Sequence, residues 1–222
     1  MTSDEEDNHS LLIAMTHLSI VMLKEMPKSE REVRELRSIY ETSFPPQERE
    51  KFSWVFELDR GQVFWLAIQN CKIVGFAVAV SISESVLFLE YIATQASYHS
   101  TGIGRQLLDR ILTDSLEWFK QHIVFEVEEP SKAPYPELAR RRIDFYTRWG
   151  ATPIRCLQRY YMPSFVAPDQ TIPMILMDYV IRGAPDLSGD LLKSTIVNIY
   201  SIEYGATVDS AHVIRLLKEV IC

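Results

Sequence analysis

Two glycines, Gly102 and Gly104, stand in the run His99-Ser100-Thr101-Gly102-Ile103-Gly104-Arg105, between a stretch with strand character and one with helical periodicity. Glycines at such a junction let the chain take positive φ and approach a ligand closely, while the first unpaired N–H groups of the helix face an anion. The chemistry this allows is phosphate or pyrophosphate binding; the competing reading is a tight strand–helix junction with no ligand. Two other phosphate loops are excluded by the letters. A Walker loop needs Gly-Lys followed by Ser or Thr, whereas Gly104 is followed by Arg105-Gln106; a dinucleotide fingerprint needs a third glycine where Leu107 stands.

Carboxylates flank this turn in the sequence. Glu90 lies in the preceding strand, on the side shared by Phe88 and Ile92 through period-two alternation. Apolar neighbours raise a carboxyl pKa towards neutrality, which is what a general base requires. Its alternatives are a half-exposed carboxylate and one that only binds a substrate cation. Glu126, Glu128 and Glu129 end a later strand as an acidic group, which either attracts an ammonium substrate or marks a solvated strand end. The five histidines lack HExxH-like spacing, and neither His99 nor His122 belongs to a recognisable nucleophile motif, so no metal is expected.

These residues sit in a chain of 222, with 47% hydrophobic and 24% charged, enough for one substantial core. A net charge of -7 argues against nucleic-acid binding and suits an amine or cationic substrate. Cys71, Cys156 and Cys222 are odd in number and widely spaced, so neither a disulfide framework nor a metal pair is expected, and a reducing cytoplasm is the simplest setting. The apolar stretch Leu11 to Leu23 has no basic flank and is too short to span a bilayer, so neither export signal nor membrane anchor is read.

The elements that must position the candidates follow from periodicity. Leu18 to Met26 reads as a strand, and Ser29 with Glu32 as a capping box opening a helix to about Thr42. A second helix begins at Pro45-Pro46 and runs towards Asp59, its Phe52, Trp54, Val55, Phe56 and Leu58 serving as core or as an acceptor-site lid. Strands follow at 63–69, 73–81 and 86–94 as an antiparallel meander. A helix over 104–119 then crosses to a strand at 123–127, which makes the two flanking strands parallel. A helix over 137–149 stops at Gly150, and 152–162 and 171–182 read as closing strands. The last forty residues form two amphipathic helices, 191–200 and 208–220, with no recognisable chemistry; packing or homodimerisation is their expected use.

The segment Leu87 to Leu108 resembles motif A of the GNAT superfamily of acyltransferases, whose signature is Gln or Arg, two residues, Gly, one residue, then Gly or Ala. Leu89-Glu90-Tyr91-Ile92-Ala93 extends the likeness upstream, and Ile143-Asp144-Phe145-Tyr146-Thr147-Arg148-Trp149-Gly150-Ala151 is similar to motif B. Two positions depart: His99 stands where the family usually has Gln or Arg, and Ala139 where many members carry Asn. The resemblance covers about residues 18–182 and implies a GNAT fold: a mixed, mostly antiparallel sheet of about seven strands, with a parallel pair around the cofactor site and flanking helices. The chain is accordingly read in three parts: an acidic tail, 1–17; the acyltransferase domain that the resemblance implies, 18–182; and a helical extension, 183–222.

It implies, further, that backbone groups of Ile92, Ala93 and Thr94 line the pantetheine arm of acyl-CoA, and that the turn from His99 through Ser100, Thr101, Gly102, Ile103, Gly104 and Arg105 holds the pyrophosphate. One of Arg140, Arg141 and Arg142 is a further candidate for the phosphates. Glu90 occupies a position like that of the catalytic Glu in several members, and Tyr146 matches the tyrosine that protonates the departing thiolate. The implied reaction is N-acyl transfer, acetyl by default, to a primary amine on a small molecule or peptide. Two alternatives are a longer acyl or carrier-protein donor, and a non-catalytic acyl-CoA-binding module.

Overall fold

The computed structural model describes residues 18–27, 29–56, 61–167 and 169–222. The expected acidic tail and the end of the expected second helix, 57–60, lie outside these. Among the described residues there are eight strands: β1 (Ser19–Leu23), β2 (Gln62–Gln69), β3 (Lys72–Ser81), β4 (Val86–Thr94), β5 (His122–Glu128), β6 (Thr152–Pro153), β7 (Tyr160–Pro163) and β8 (Thr171–Val180). The six α-helices are α1 (Glu30–Ser43), α2 (Phe52–Phe56), α3 (Ile103–Glu117), α4 (Pro136–Trp149), α5 (Gly189–Tyr204) and α6 (Ala211–Leu217). The strands form one open sheet in the order β1-β2-β3-β4-β5-β8-β6, with β7 also paired to β8. β4 and β5 are the parallel pair; β5 and β8 run antiparallel over seven residues. No helix of the described residues is long and apolar enough to cross a membrane.

The chain divides into two compact units. The first holds the described residues up to Pro45, then Glu50–Val78 and Tyr91–Ile111. Its core is aromatic: Tyr40 meets the rings of Phe52, Phe56, Phe76 and Tyr91 at centroid distances of 5.1 to 6.2 Å, most of them edge-on, the arrangement ring quadrupoles favour. Of the expected stripe, Phe52, Val55 and Phe56 are buried there as core, Trp54 is half-buried, and Leu58 lies outside the described residues. The expected single helix from Pro45 is instead a 3-10 turn (Pro46–Glu48) and the short α2. The break has a local cause. Glu50 C=O accepts from the Tyr40 hydroxyl at 2.9 Å, and its N–H donates to the Tyr91 hydroxyl at 3.3 Å, which withdraws that peptide from helical pairing. Ser29 is the N-cap of α1, but its side chain makes no capping bond, so the expected capping box does not form.

The second unit holds Pro46–Arg49, Ala79–Glu90 and Leu112–Cys222. α5 buries Leu192, Thr195, Ile196, Ile199, Tyr200 and Glu203, a three-and-four spacing that lays one face on a core containing Phe88, Val124, Met162 and Leu176. The expected strand 152–162 splits into β6 and β7. Between them the chain turns aside to the C-terminus: Gln158 N–H donates to Glu219 C=O at 3.0 Å, Ile221 N–H donates to Cys156 C=O at 2.9 Å, and Leu157 pairs with Val220. Cys156 and Cys222, 66 residues apart, form a disulfide across Cα atoms 5.4 Å apart. This corrects the expectation of no disulfide: spacing along the chain says nothing about two cysteines that folding brings together. Cys71 is exposed and free.

Candidate functional site

The turn after β4 is built mainly from backbone. β3 approaches β4 closely because Gly75 has no side chain; a Cβ there would lie 3.0 Å from Ala93 C=O. Ile92, Ala93 and Thr94 end β4, and Gln95 N–H then donates to Val74 C=O at 2.8 Å. A 3-10 turn (Ala96–Tyr98) leads to His99, whose Nε2 lies 3.2 Å from Thr94 C=O. Ser100 and Gly102 take positive φ, 63° and 89°, and α3 begins at Ile103. Thr101 turns inward, both its N–H and its hydroxyl donating to Tyr98 C=O. The first α3 hydrogen bond is Gln106 N–H to Gly102 C=O at 3.1 Å, so the N–H groups of Ile103 and Gly104 precede the helical ladder and point out of its start. Arg105 lies along the helix, its Nε 2.9 and 3.0 Å from the two Asp109 oxygens. The start of α3 thus leaves main-chain N–H groups outside the helical ladder, while the His99 and Arg105 side chains are engaged in local contacts.

The β4–β5 ladder is short. Val86 pairs with His122, Leu87 with Ile123 and Phe88 with Val124. Glu90 and Glu126 each stand two residues beyond the last pair, on the face to which Phe88 and Val124 point. Phe88 and Val124 both belong to the core that α5 covers. Two carboxylates therefore occur together at the open end of the parallel pair, on the α5 face. Glu90 is half-buried, with Oε1 shielded from solvent.

Tyr146 occupies the opposite face. Its ring packs 4.3 Å from Phe125, whose side chain alternates away from Glu126, and 5.2 Å from Phe145. Periodicity puts it on α4, and Gly150 ends that helix as a left-handed cap with φ 119°, its N–H reaching Tyr146 C=O. Burial pushes the Tyr146 phenol up to about 12, against the pull of the Arg142 guanidinium, so the group is a proton donor throughout the neutral range. Among the three arginines, Arg142 pairs with Glu128 and Arg140 with Glu137, while Arg141 is exposed. Ala139 is fully buried.

Glu126 is no solvated strand end. Its Oε1 accepts from the Tyr160 hydroxyl on β7, and its Oε2 accepts from the Tyr204 hydroxyl on α5 at 2.6 Å. Burial raises its pKa to about 7; the two phenol hydrogen bonds work in the other direction, and neighbouring Glu203 adds to the rise. Glu48 is raised too, by burial first, with Arg142 lowering it and Glu126 raising it. No motif in the last forty residues marks Tyr204. The available signal was the periodic face of α5, on which Tyr200 and Tyr204 follow Ile196 and Ile199. A second buried pair, His122 Nδ1 to Asp178 Oδ2 at 2.9 Å, joins β5 and β8 within the core. Among the described residues no group of three or more His, Cys, Asp or Glu is placed to hold a metal.

Comparison with known proteins bears on the family and the fold. No curated protein matches the sequence. Solved structures do. A protein described as an acetyltransferase of the GNAT family from Bacteroides thetaiotaomicron is 25% identical, with a TM-score of 0.67 over 84% of this chain and 99% of its own. A GNAT family acetyltransferase from Elizabethkingia anophelis, solved with acetyl-CoA bound, is 14% identical, with a TM-score of 0.52 over 74% of this chain and 98% of its own. A ribosomal-protein-alanine N-acetyltransferase from Escherichia coli is 20% identical, with a TM-score of 0.51 over 77% and 97%. The latter two likenesses speak for the fold alone. The profile of the acetyltransferase (GNAT) family matches residues 33–150, more than half of the chain and inclusive of both the glycine turn and Tyr146, and the protein therefore belongs to the GNAT acetyltransferase family.

Proposed function

We propose that the protein moves an acyl group, acetyl by default, from acyl-CoA to a primary amine by direct attack. The observation that carries this reading is the open end of the β4–β5 pair, with carboxylates on one face and a buried, protonated phenol on the other. Acyl transfer to an amine needs the amine deprotonated, the thioester carbonyl polarised and the thiolate protonated. In our reading Glu90 takes the proton of the amine, directly or through a water. The nitrogen lone pair attacks the carbonyl carbon; the C–N bond forms and the C–S bond breaks. Tyr146 gives its phenol proton to the departing sulfur. The N–H of Ile92 or Ala93 is our candidate for polarising the carbonyl oxygen, and the main-chain seat from His99 to Arg105 for holding the pyrophosphate.

Support for the donor comes from membership in the GNAT acetyltransferase family, and the amine acceptor is our reading from the carboxylates at the open end of the pair. We assign 18–182 to the acyltransferase domain and 183–222 to an extension of it. The test is thiol release from acetyl-CoA in the presence of a panel of primary amines, with Glu90→Gln and Tyr146→Phe as controls. Amine-dependent release that falls in both variants supports the reading. Release only from longer acyl-CoA would move the donor to a longer chain, and tight CoA binding with no release from any donor would make the protein a binding module.

A further inference from the structure

The tyrosine grip on Glu126 joins three elements far apart in the sequence: β5, β7 and the C-terminal α5. Tyr160 and Tyr204 both lie beyond the residues matched by the family profile. An ionised carboxylate offers about four lone-pair positions, and the two phenols, one on each oxygen, leave room for further donors. The grip fixes the plane of the carboxyl while Tyr160 and Tyr204, both far above their usual pKa through burial, remain donors at every working pH. An ammonium group meeting Glu126 therefore faces an oriented hydrogen-bond acceptor whose phenol partners keep their protons.

Position agrees with this. Glu126 shares its face and its level with Glu90, two residues past the end of the parallel ladder. The opposite face carries Phe125 and Tyr146. A carboxyl buried among Glu48, Glu203 and two phenols, and pushed up to about 7, is half ionised near neutrality, so a cation arriving beside it completes its ionisation. Burial of such a group weakens the fold at higher pH, and groups held at this cost concentrate at functional sites.

Resting on the acyltransferase reading, we propose that Glu126, gripped by Tyr160 and Tyr204, seats the acceptor's ammonium group, and that α5 of the C-terminal extension is thereby part of acceptor recognition. Tyr160 and Tyr204 are positioning residues in this account.

The full chain, saturated with CoA, is titrated calorimetrically with 1,5-diaminopentane and with trialanine amide, each compared with its fully N-acetylated form, which keeps the skeleton and lacks the ammonium. The wild type is expected to prefer at least one amine over its acetylated form by tenfold or more. Glu126→Gln, nearly isosteric, should abolish that preference with CoA affinity unchanged within twofold. Tyr204→Phe, which keeps the ring, should reduce it about three- to tenfold. A preference retained in Glu126→Gln, or no preference in the wild type for either amine, overturns the proposal. Acetyl-CoA turnover is followed on the same samples: amine preference lost in Glu126→Gln without any acylation by the wild type supports the ammonium seat and overturns the acyltransferase reading instead.

Discussion

The glycine turn and the Glu126 grip are opposite ways of making a polar site. The turn is continuous in sequence, exposed, and made of N–H groups that any residue supplies once Ser100 and Gly102 take positive φ. The grip is made of side chains from positions 126, 160 and 204, largely removed from water, so each of the three contributes a hydrogen bond that its own substitution would remove. A backbone site tolerates substitutions such as His99 in place of Gln or Arg. A side-chain site is specific to the chain that builds it. The turn lies within the residues that the family profile matches, whereas Tyr160 and Tyr204 of the grip lie beyond them.

The largest expected effect concerns the carboxylate end. Glu90→Gln should lower amine-dependent thiol release by about 10²- to 10⁴-fold, the range a positioned general base contributes; kinetics at saturating acetyl-CoA would read it, and an unchanged rate would move the base to another group. Next comes the disulfide that holds the C-terminus. Cys156→Ser opens a 66-residue loop, and the loss in unfolding free energy should approach about 4 kcal/mol, measured in denaturant without reductant. If stability does not change, the main-chain bonds from Gln158 and Ile221 hold the C-terminus by themselves.

The third sharpens the contrast within the turn. Gly102→Ala puts a Cβ on a residue at φ 89° and should weaken CoA binding by about 1 kcal/mol, roughly fivefold. Arg105→Gln removes a charge already paired with Asp109 on an exposed helix face and should weaken CoA binding less than about threefold. Equal effects would mean that the side chain, not the backbone, holds the phosphates. A further effect, spread over a pH range rather than read at one condition, is on stability against pH. The Glu126 carboxyl ionises near 4.5 when unfolded and near 7 when folded, so between those values the folded state binds more protons and stability falls as pH rises, by at most about 1.4 kcal/mol per unit. Glu126→Gln should flatten the unfolding free energy across that window.

Legibility in the sequence follows the same division. The strand–turn–helix around Gly102, the amphipathic α3 and α4, the parallel β4–β5 pair and the place of Tyr146 on α4 were readable because each is set by local periodicity and by residues close in the chain. The run 152–162 looked like one strand, because nothing within it announces that Cys156 and Leu157 turn aside to meet Cys222 and Val220. The helix from Pro45 looked continuous, because the hydroxyls that capture Glu50 come from Tyr40 and Tyr91. Glu126 was visible as one of three acidic residues at a strand end, but its partners were not: a phenol 78 residues away leaves no pattern.

The central claim, acyl transfer from CoA to an amine at this end of the sheet, is tested most directly by mixing the purified 222-residue chain with acetyl-CoA and a panel of primary amines and measuring free thiol and N-acetylated product together. The account predicts equal amounts of thiol and product, formed only when an amine is present, and a slower reaction in Tyr146→Phe with unchanged CoA affinity. CoA binding with no amine-dependent thiol, or a rate indifferent to Tyr146→Phe and Glu90→Gln alike, would contradict it.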